Sequence, residues 1–366
     1  MNWLGIDIGG AHLKLATVDG RSLAAPFPMW RAPEQLADHV ARLIAQLDPG
    51  RDQGLAVTMT GELADCFVDK SAGVRHISES AQLAASGRPV RIYAVGGHWL
   101  GVDRAIREPI RVAASNWHAL AQYSLRSVEQ WPAWLIDIGS TTTDIIPLNQ
   151  QGPAARGHTD WTRLLASELI YTGVERTPVF AVLQRPIVAT GFGADIARGS
   201  AVGEESGQST EGPIRVGLAA ELFATMQDVY VALGDLAEAP DNRNTADNRP
   251  LTRMHSLQRL RRLLCADQTE VADSIVWEIA RQAADRQTQL VADGMTELSR
   301  RVCVPHQIVF GGHGEFLARR ALTRLGWQCE LRRLGDRLPP QLMRAATAYA
   351  VACLATEQLA DHPRTD

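Results

Sequence analysis

Trp3-Leu4-Gly5-Ile6-Asp7-Ile8-Gly9-Gly10-Ala11-His12-Leu13-Lys14 is echoed later in the chain by Trp134-Leu135-Ile136-Asp137-Ile138-Gly139-Ser140-Thr141-Thr142-Thr143-Asp144. Each copy opens as a short apolar run and stops in small residues, as a strand entering a tight turn does. A second apolar run follows each: residues 13–18 after the first, 145–148 after the second. A strand–turn–strand unit repeated one domain apart predicts two duplicated halves.

The turns carry chemistry. Glycines let backbone approach a ligand closely and aim its N–H groups at anionic oxygen, here at Gly9, Gly10 and Gly139. Asp7, at a strand end, can hold Mg²⁺, which takes one or two carboxylates plus phosphate oxygens. Alternation along the return strand puts His12 and Lys14 on one face and Leu13 and Leu15 on the other, so Lys14 can reach back as a counter-charge. Taken alone, this is equally a plain hairpin with an exposed lysine. The second copy favours a phosphate site: Asp137 repeats Asp7, and Ser140, Thr141, Thr142 and Thr143 add a dense set of hydroxyl donors. Asp144 stands seven residues past Asp137, as Lys14 stands past Asp7. Two such hairpins facing each other would make a cleft for a phosphorylated ligand and its metal.

Working outward, 366 residues exceed what one core normally fills, so two domains are expected. Residues 1–130, joined by a C-terminal helix at 341–366, make the first. Residues 131–340 make the second, with helical insertions. Leu36, Val40, Leu43, Ile44 and Leu47 share one helical face, and 221–233, 271–298 and 341–359 have helical spacing. Runs at 55–59, 90–95 and 307–310 read as strands, and 115–128 as a helix. Polar stretches at 199–213 and 238–250 read as mobile connectors.

Weaker signals remain. Gly311-Gly312-His313-Gly314 follows a strand and would let a flat ring such as adenine lie on backbone. Thr190-Gly191-Phe192-Gly193-Ala194-Asp195 is a similar turn. Thr60 and Glu62, after the strand at 55–59, and His118, near a helix start, could line the same cleft; each alone is more often a cap or a packed polar residue than a catalytic group.

The net charge of −4 shows no basic excess, which argues against nucleic acid. Five cysteines without a CxxC spacing predict buried or partly buried free thiols rather than a disulfide or zinc framework. The opening residues lack a basic leader, and no long apolar run is present, so a cytoplasmic protein without a membrane span is expected. Homo-oligomerisation stays open.

The Asp-x-Gly-Gly hairpins are shared by the actin/Hsp70/sugar-kinase fold group (α/β, duplicated ribonuclease H-like halves around a cleft). Further matching pieces are Val57-Thr58-Met59-Thr60-Gly61-Glu62, Asn116-Trp117-His118, Thr245-Ala246-Asp247-Asn248-Arg249-Pro250 and Gly312-His313-Gly314-Glu315, and the more particular ones are Tyr171-Thr172-Gly173-Val174 with Arg176-Thr177-Pro178-Val179. Through them the chain resembles hydantoinase/oxoprolinase-related proteins of tetrahydromethanopterin-linked C1 transfer, including the archaeal furan-methanamine synthases of methanofuran biosynthesis. The resemblance covers most of the chain. It implies an aryl-ether-forming transferase. An aminomethyl-furan-methanol diphosphate loses diphosphate, and the phenol of a tyramine- or tyrosine-type partner takes its place. Asp7 and Asp137 would then hold Mg²⁺. Lys14, the Gly9 and Gly10 amides and Ser140 to Thr143 would hold the phosphates. Asp144, Glu62 and His118 are unranked candidates for the base. The alternative is an ATP-using hydantoinase-type ATPase or small-molecule kinase of the same fold, with Gly311, Gly312 and Gly314 against the nucleotide.

Overall fold

The computed structural model describes residues 2–47, 53–189, 213–338 and 340–359. The turn at 190–195 and nearly all of the 199–213 stretch lie outside the described residues, as does the chain after 359.

Trp3–Ile8 (β1), His12–Ala16 (β2) and Ser22–Pro26 (β3) form an antiparallel meander. After Leu36–Leu47 (α1), Gly54–Met59 (β4) returns parallel to β1. Lys70–Ala84 (α2) leads to Val90–Ala94 (β5), parallel to β4, and His98–Leu100 (β6) closes the edge. The six strands run β3-β2-β1-β4-β5-β6. Val102–Arg107 (α3), Pro109–Val112 (α4) and Asn116–Ser124 (α5) end this half.

The second half begins with Ala133–Ile138 (β7), Thr143–Asn149 (β8) and Gly152–Pro153 (β9), then Asp160–Leu165 (α6) and Leu169–Ile170 (β10). Val179–Val182 (α7) and the ribbon Ile187–Ala189 (β11) with Pro213–Arg215 (β12) follow. The helices Met226–Leu233 (α8), Arg253–Arg262 (α9) and Asp273–Ser299 (α10) precede Gln307–Gly312 (β13). Glu315–Leu325 (α11), Glu330–Arg333 (β14) and Ala346–Gln358 (α12) complete the chain. The strand order is β10-β8-β7-β13-β14, with β10, β8 and β7 antiparallel and β7, β13 and β14 parallel. That is the order and polarity of the first five strands of the other sheet. The molecule is a pair of ribonuclease H-like halves in the actin/Hsp70/sugar-kinase arrangement.

Alternation along the central strands sets the packing. Leu4, Ile6 and Ile8 face one way, into a core shared with α1 and α2, while Trp3 faces the core under α5 and α12. In β7, Trp134, Ile136 and Ile138 join the core of α8, α10 and α11, and Leu135 faces α5. Helix α12 lies directly on β1: a Cβ at Gly5 would come within 1.8 Å of the Ala348 carbonyl oxygen, so only glycine fits.

Several local expectations change. Residues 221–225 are not helical; α8 begins after Thr225, whose N–H donates to Asp228 Oδ2 at 3.0 Å. The terminal helix starts at Ala346, after a 3-10 turn. The stretch at 238–250 is pinned rather than a loose connector. Arg259 Nη1 donates to Asp247 Oδ1 at 2.9 Å, Arg262 Nη1 to Asp247 Oδ2 at 3.2 Å, and the Arg253 N–H to Glu238 Oε2 at 3.0 Å. Cys66, Cys265 and Cys303 are exposed, contrary to the buried thiols expected. Among the described residues no helix is long and apolar enough to cross a membrane.

Candidate active site

The two turns have the same construction. In the first the Gly9 N–H donates to the His12 carbonyl at 3.0 Å; in the second the Gly139 N–H donates to the Thr142 carbonyl at 3.0 Å. Register then sets Lys14 directly across from Asp7, and Asp144 directly across from Asp137. Each strand end is also tied to the next parallel strand. The Thr60 and Gly61 N–H groups donate to the Ile8 carbonyl at 2.9 and 3.1 Å, and the Gly314 N–H to the Ile138 carbonyl at 3.0 Å.

Lys14 Nζ donates to Asp7 Oδ2 at 3.1 Å. Asp7 is buried, and its Oδ1 has no hydrogen-bond partner. The Asp7 carboxylate holds Lys14 above the usual lysine range against the opposing effect of burial, and Asp137, from the other half, adds to the rise. Asp137 itself is pushed up to about 7, first by burial and then by Asp144; Lys14 and His313 oppose the rise and Asp7 reinforces it. The two hairpins therefore sit within electrostatic reach of each other: Lys14 is bonded to Asp7 and is also raised by Asp137.

That arrangement suits a divalent cation. A buried carboxylate oxygen without a donor beside a carboxyl raised by like charges is a place where positive charge is missing. Asp7 Oδ1 and Asp137 supply oxygen only, as Mg²⁺ requires. Among the described residues no group of three or more His, Cys, Asp or Glu side chains forms a ready-made metal cage; Mg²⁺ is commonly held by one or two carboxylates together with ligand phosphate and water.

The hydroxyls of the second turn divide. Ser140, Thr141 and Thr142 are partly exposed, with Ser140 Oγ 3.4 Å from Thr141 Oγ1. Thr143 is not available to a ligand: it is fully buried and its Oγ1 donates to the Thr172 carbonyl at 2.8 Å. The segment 172–177 clasps this turn. The Val174, Glu175 and Arg176 N–H groups donate to the Gly139 and Ser140 carbonyls at 2.9 to 3.1 Å, and a Cβ on Gly173 would lie 2.5 Å from the Thr141 nitrogen. This clasp explains why Tyr-Thr-Gly-Val and Arg-Thr-Pro-Val stand out in the sequence.

Basic side chains gather around the turns. His313 Nε2 lies 2.9 Å from Glu175 Oε1, and that hydrogen bond holds Glu175 below the ordinary carboxylate range. His12 is lowered by burial and then by Lys14, with Arg176 and Arg344 also pushing it down and Glu175 opposing. Arg344 had no motif to announce it; the fold brings it in from the turn before α12.

Three expectations need correction. Asp144 is not a free base: Arg163 Nη2 donates to its Oδ1 at 2.5 Å, both side chains are buried, and the guanidinium also stacks 4.2 Å over the Trp117 ring. His118 is not a base either. Its Nε2 accepts from the Gly96 N–H at 3.2 Å, its Nδ1 faces the Tyr93 hydroxyl at 2.9 Å, and burial drops it to about 4. The glycines at the end of β13 are explained by packing. A Cβ on Gly311 would lie 2.7 Å from Asp137 Oδ1, one on Gly314 2.4 Å from Ile138 Cγ2, and Gly312 has φ +70°. They bring backbone up to Asp137 without requiring a nucleotide ring.

Glu62 has the opposite character. It is 1% exposed, its Oε2 has no partner, and burial pushes it up to about 7. It follows Thr60, partly exposed, and Gly61, where a Cβ would lie 3.1 Å from the Gly9 carbonyl.

With this geometry in place, comparison with known proteins is informative. The family model for hydantoinase/oxoprolinase matches residues 53–357. A (4-{4-[2-(gamma-L-glutamylamino)ethyl]phenoxymethyl}furan-2-yl)methanamine synthase of Methanocaldococcus jannaschii is 30% identical over 97% of this chain and 98% of its own. A protein of the same name from Methanococcus vannielii is 27% identical over 62% of this chain and 91% of its own. Both names are those of enzymes. Among solved structures, an inorganic polyphosphate/ATP-glucomannokinase from an Arthrobacter species aligns with 98% of this chain and 99% of its own, at 13% identity and a TM-score of 0.45. At that score the strand order, not the superposition, defines the fold. The chain belongs to the hydantoinase/oxoprolinase family.

Proposed function

We propose that the protein forms an aryl furfuryl ether, joining a phenol to the CH₂ of an aminomethyl-furan with loss of diphosphate. The relatives' printed name describes such a product: a phenoxymethyl group on a furan that also carries CH₂NH₂. Disconnecting that ether leaves a phenol and a furan–CH₂ bearing a leaving group. The observation that supports diphosphate as that group is the sharing of Lys14 between Asp7 and Asp137 across the cleft, beside the hydroxyls of Ser140, Thr141 and Thr142.

The residues divide the work. The Gly9 and Gly10 turn and the hydroxyls of 140–142 bind and orient phosphate oxygens. Lys14, with Arg176 and Arg344 nearby, meets the charge that grows on the departing diphosphate, an interaction stronger in the transition state than before it. Asp7 and Asp137 would hold Mg²⁺, which when bound neutralises phosphate charge and helps the diphosphate leave. The furan oxygen donates into the ring and stabilises positive charge on the departing carbon, so the C–O bond can break before the phenol attacks.

The test uses the purified chain with Mg²⁺, [5-(aminomethyl)furan-3-yl]methyl diphosphate and the γ-glutamyl amide of tyramine, without ATP. Ether and inorganic diphosphate are expected in equal amounts. Turnover only when ATP is added, with release of ADP, would replace this reading by the kinase or ATPase alternative.

A further inference from the structure

The strand ends of the two halves are followed by matched segments. Asp7 pairs across with Thr58 of β4, and Asp137 with Gly311 of β13. Counting on from these partners sets Thr60 against His313, Gly61 against Gly314 and Glu62 against Glu315. The two glutamates thus occupy equivalent places, four residues past the partner of each hairpin aspartate. Glu315 is neutralised: Arg319 Nε and Arg333 Nε reach its two oxygens at 2.6 Å each. Glu62 has no arginine. It is more deeply buried and leaves Oε2 without a donor.

Its place is built. A Cβ on Gly73 would lie 2.0 Å from the Glu62 carbonyl oxygen, so α2 presses on the Glu62 backbone and fixes it. The charged groups facing it come from both sides. Lys70 of α2 and the Ala114 amide favour its ionised form, and Asp160 of α6, in the second half, disfavours it. Leu63 and Trp161, the residues after Glu62 and Asp160, expose apolar side chains, one from each half. An unpaired buried acceptor is costly, about 1–3 kcal/mol, and is expected where a ligand supplies the donor.

We infer that Glu62 is the catalytic base that takes the proton of the acceptor's hydroxyl, the phenol O–H supplying the donor that Oε2 lacks. This rests on the ether-forming reading above. The step balances: the furfuryl C–O bond to diphosphate breaks with its electron pair staying on diphosphate. The phenol oxygen forms the new C–O bond, and its proton passes to the Glu62 carboxylate. With Asp144 held by Arg163 and His118 bonded through both nitrogens, Glu62 is the candidate base with an unpartnered oxygen. Its displacement toward neutrality suits proton transfer near pH 7.

The experiment compares wild type with Glu62→Gln in the ether assay, across pH and across acceptors whose phenols are made more acidic by ring fluorination. Wild-type kcat/KM should rise with pH up to about 7 and then level, because the carboxylate is the active form. Asp137 titrates in the same range, so the Mg²⁺–diphosphate affinity of both proteins is followed in parallel and divided out. Glu62→Gln should lose about a hundredfold or more in kcat/KM with the parent phenol. The loss should shrink as the phenol becomes more acidic, and Mg²⁺–diphosphate binding should be unchanged. A structural role would not depend on phenol acidity. The melting temperature of Glu62→Gln at pH 8 should be equal or higher. The raised carboxyl binds its proton more tightly folded than unfolded, so in wild type it withdraws stability as pH climbs from the unfolded value through about 7. An active wild type with a Glu62→Gln loss that is absent, or the same for every phenol, overturns the inference alone. A wild type that makes no ether removes the underlying reading and the inference together.

Discussion

The two hairpins share a backbone plan and differ in the charge their return strands set across from the aspartate. In the first half Lys14 stands across from Asp7 and remains in the cleft, where it answers to Asp7 and Asp137 alike. In the second half Asp144 stands across from Asp137 and is drawn away by buried Arg163, itself capped by Trp117. Equivalent positions in a duplicated fold have thus taken different partners, Lys14 the aspartate across from it and Asp144 a buried arginine. Duplication supplies the geometry, and a single arginine from α6 ties up the return-strand charge of the second copy.

The comparison breaks most sharply at the carboxylates. Asp7→Asn and Asp137→Asn should each lower ether formation about a thousandfold with little loss of fold, since both sit where metal and phosphate charge would be met. Initial rates at saturating Mg²⁺ check this; a variant within tenfold of wild type removes that residue from the site. Next comes the pair that differs. Arg163→Met leaves Asp144, and Lys14→Met leaves Asp7, buried without its partner; the fully buried Arg163 pair should cost about 3–5 kcal/mol of stability and the Lys14 pair, whose lysine is about a third exposed, less, with Lys14→Met costing activity besides. Urea denaturation separates the two. If Lys14→Met unfolds the protein and Arg163→Met does not, their roles are reversed. The smallest effect is expected in the turn hydroxyls. Thr141→Val should raise KM for the diphosphate substrate by about tenfold, roughly one charge-assisted hydrogen bond. Thr143→Val should instead lower the melting temperature, because its hydroxyl holds the Thr172 carbonyl.

Much of this was legible in the sequence. The repeated Asp-Ile-Gly turns predicted the duplication, and seven-residue spacing set Lys14 and Asp144 across from their aspartates, because hairpin register follows from turn length. One detail of the echo misleads. When the copies are aligned on their aspartates, Trp134 matches Leu4 rather than Trp3, and alternation sends the two tryptophans to opposite faces of their sheets. What stayed hidden depends on long-range packing. Nothing local to Asp144 says that Arg163 will claim it, nor does the run around His118 show that Gly96 and Tyr93 will occupy both ring nitrogens. Arg344 comes within electrostatic reach of His12 and Glu175 only because the chain folds back before α12, which packs on β1. The Gly-Gly-x-Gly at the end of β13 suggested nucleotide because such a turn permits close approach, and the sequence cannot say what approaches; here it is the Asp137 carboxylate.

The most direct measurement is a double-mutant cycle between the halves, Lys14→Met and Asp137→Asn, read on calorimetric affinity for Mg²⁺–diphosphate. Convergence on one anion predicts that the two losses fall short of additive or exceed it by at least about 1 kcal/mol. Losses that simply add, or binding untouched by either change, would mean that the two turns serve separate ends.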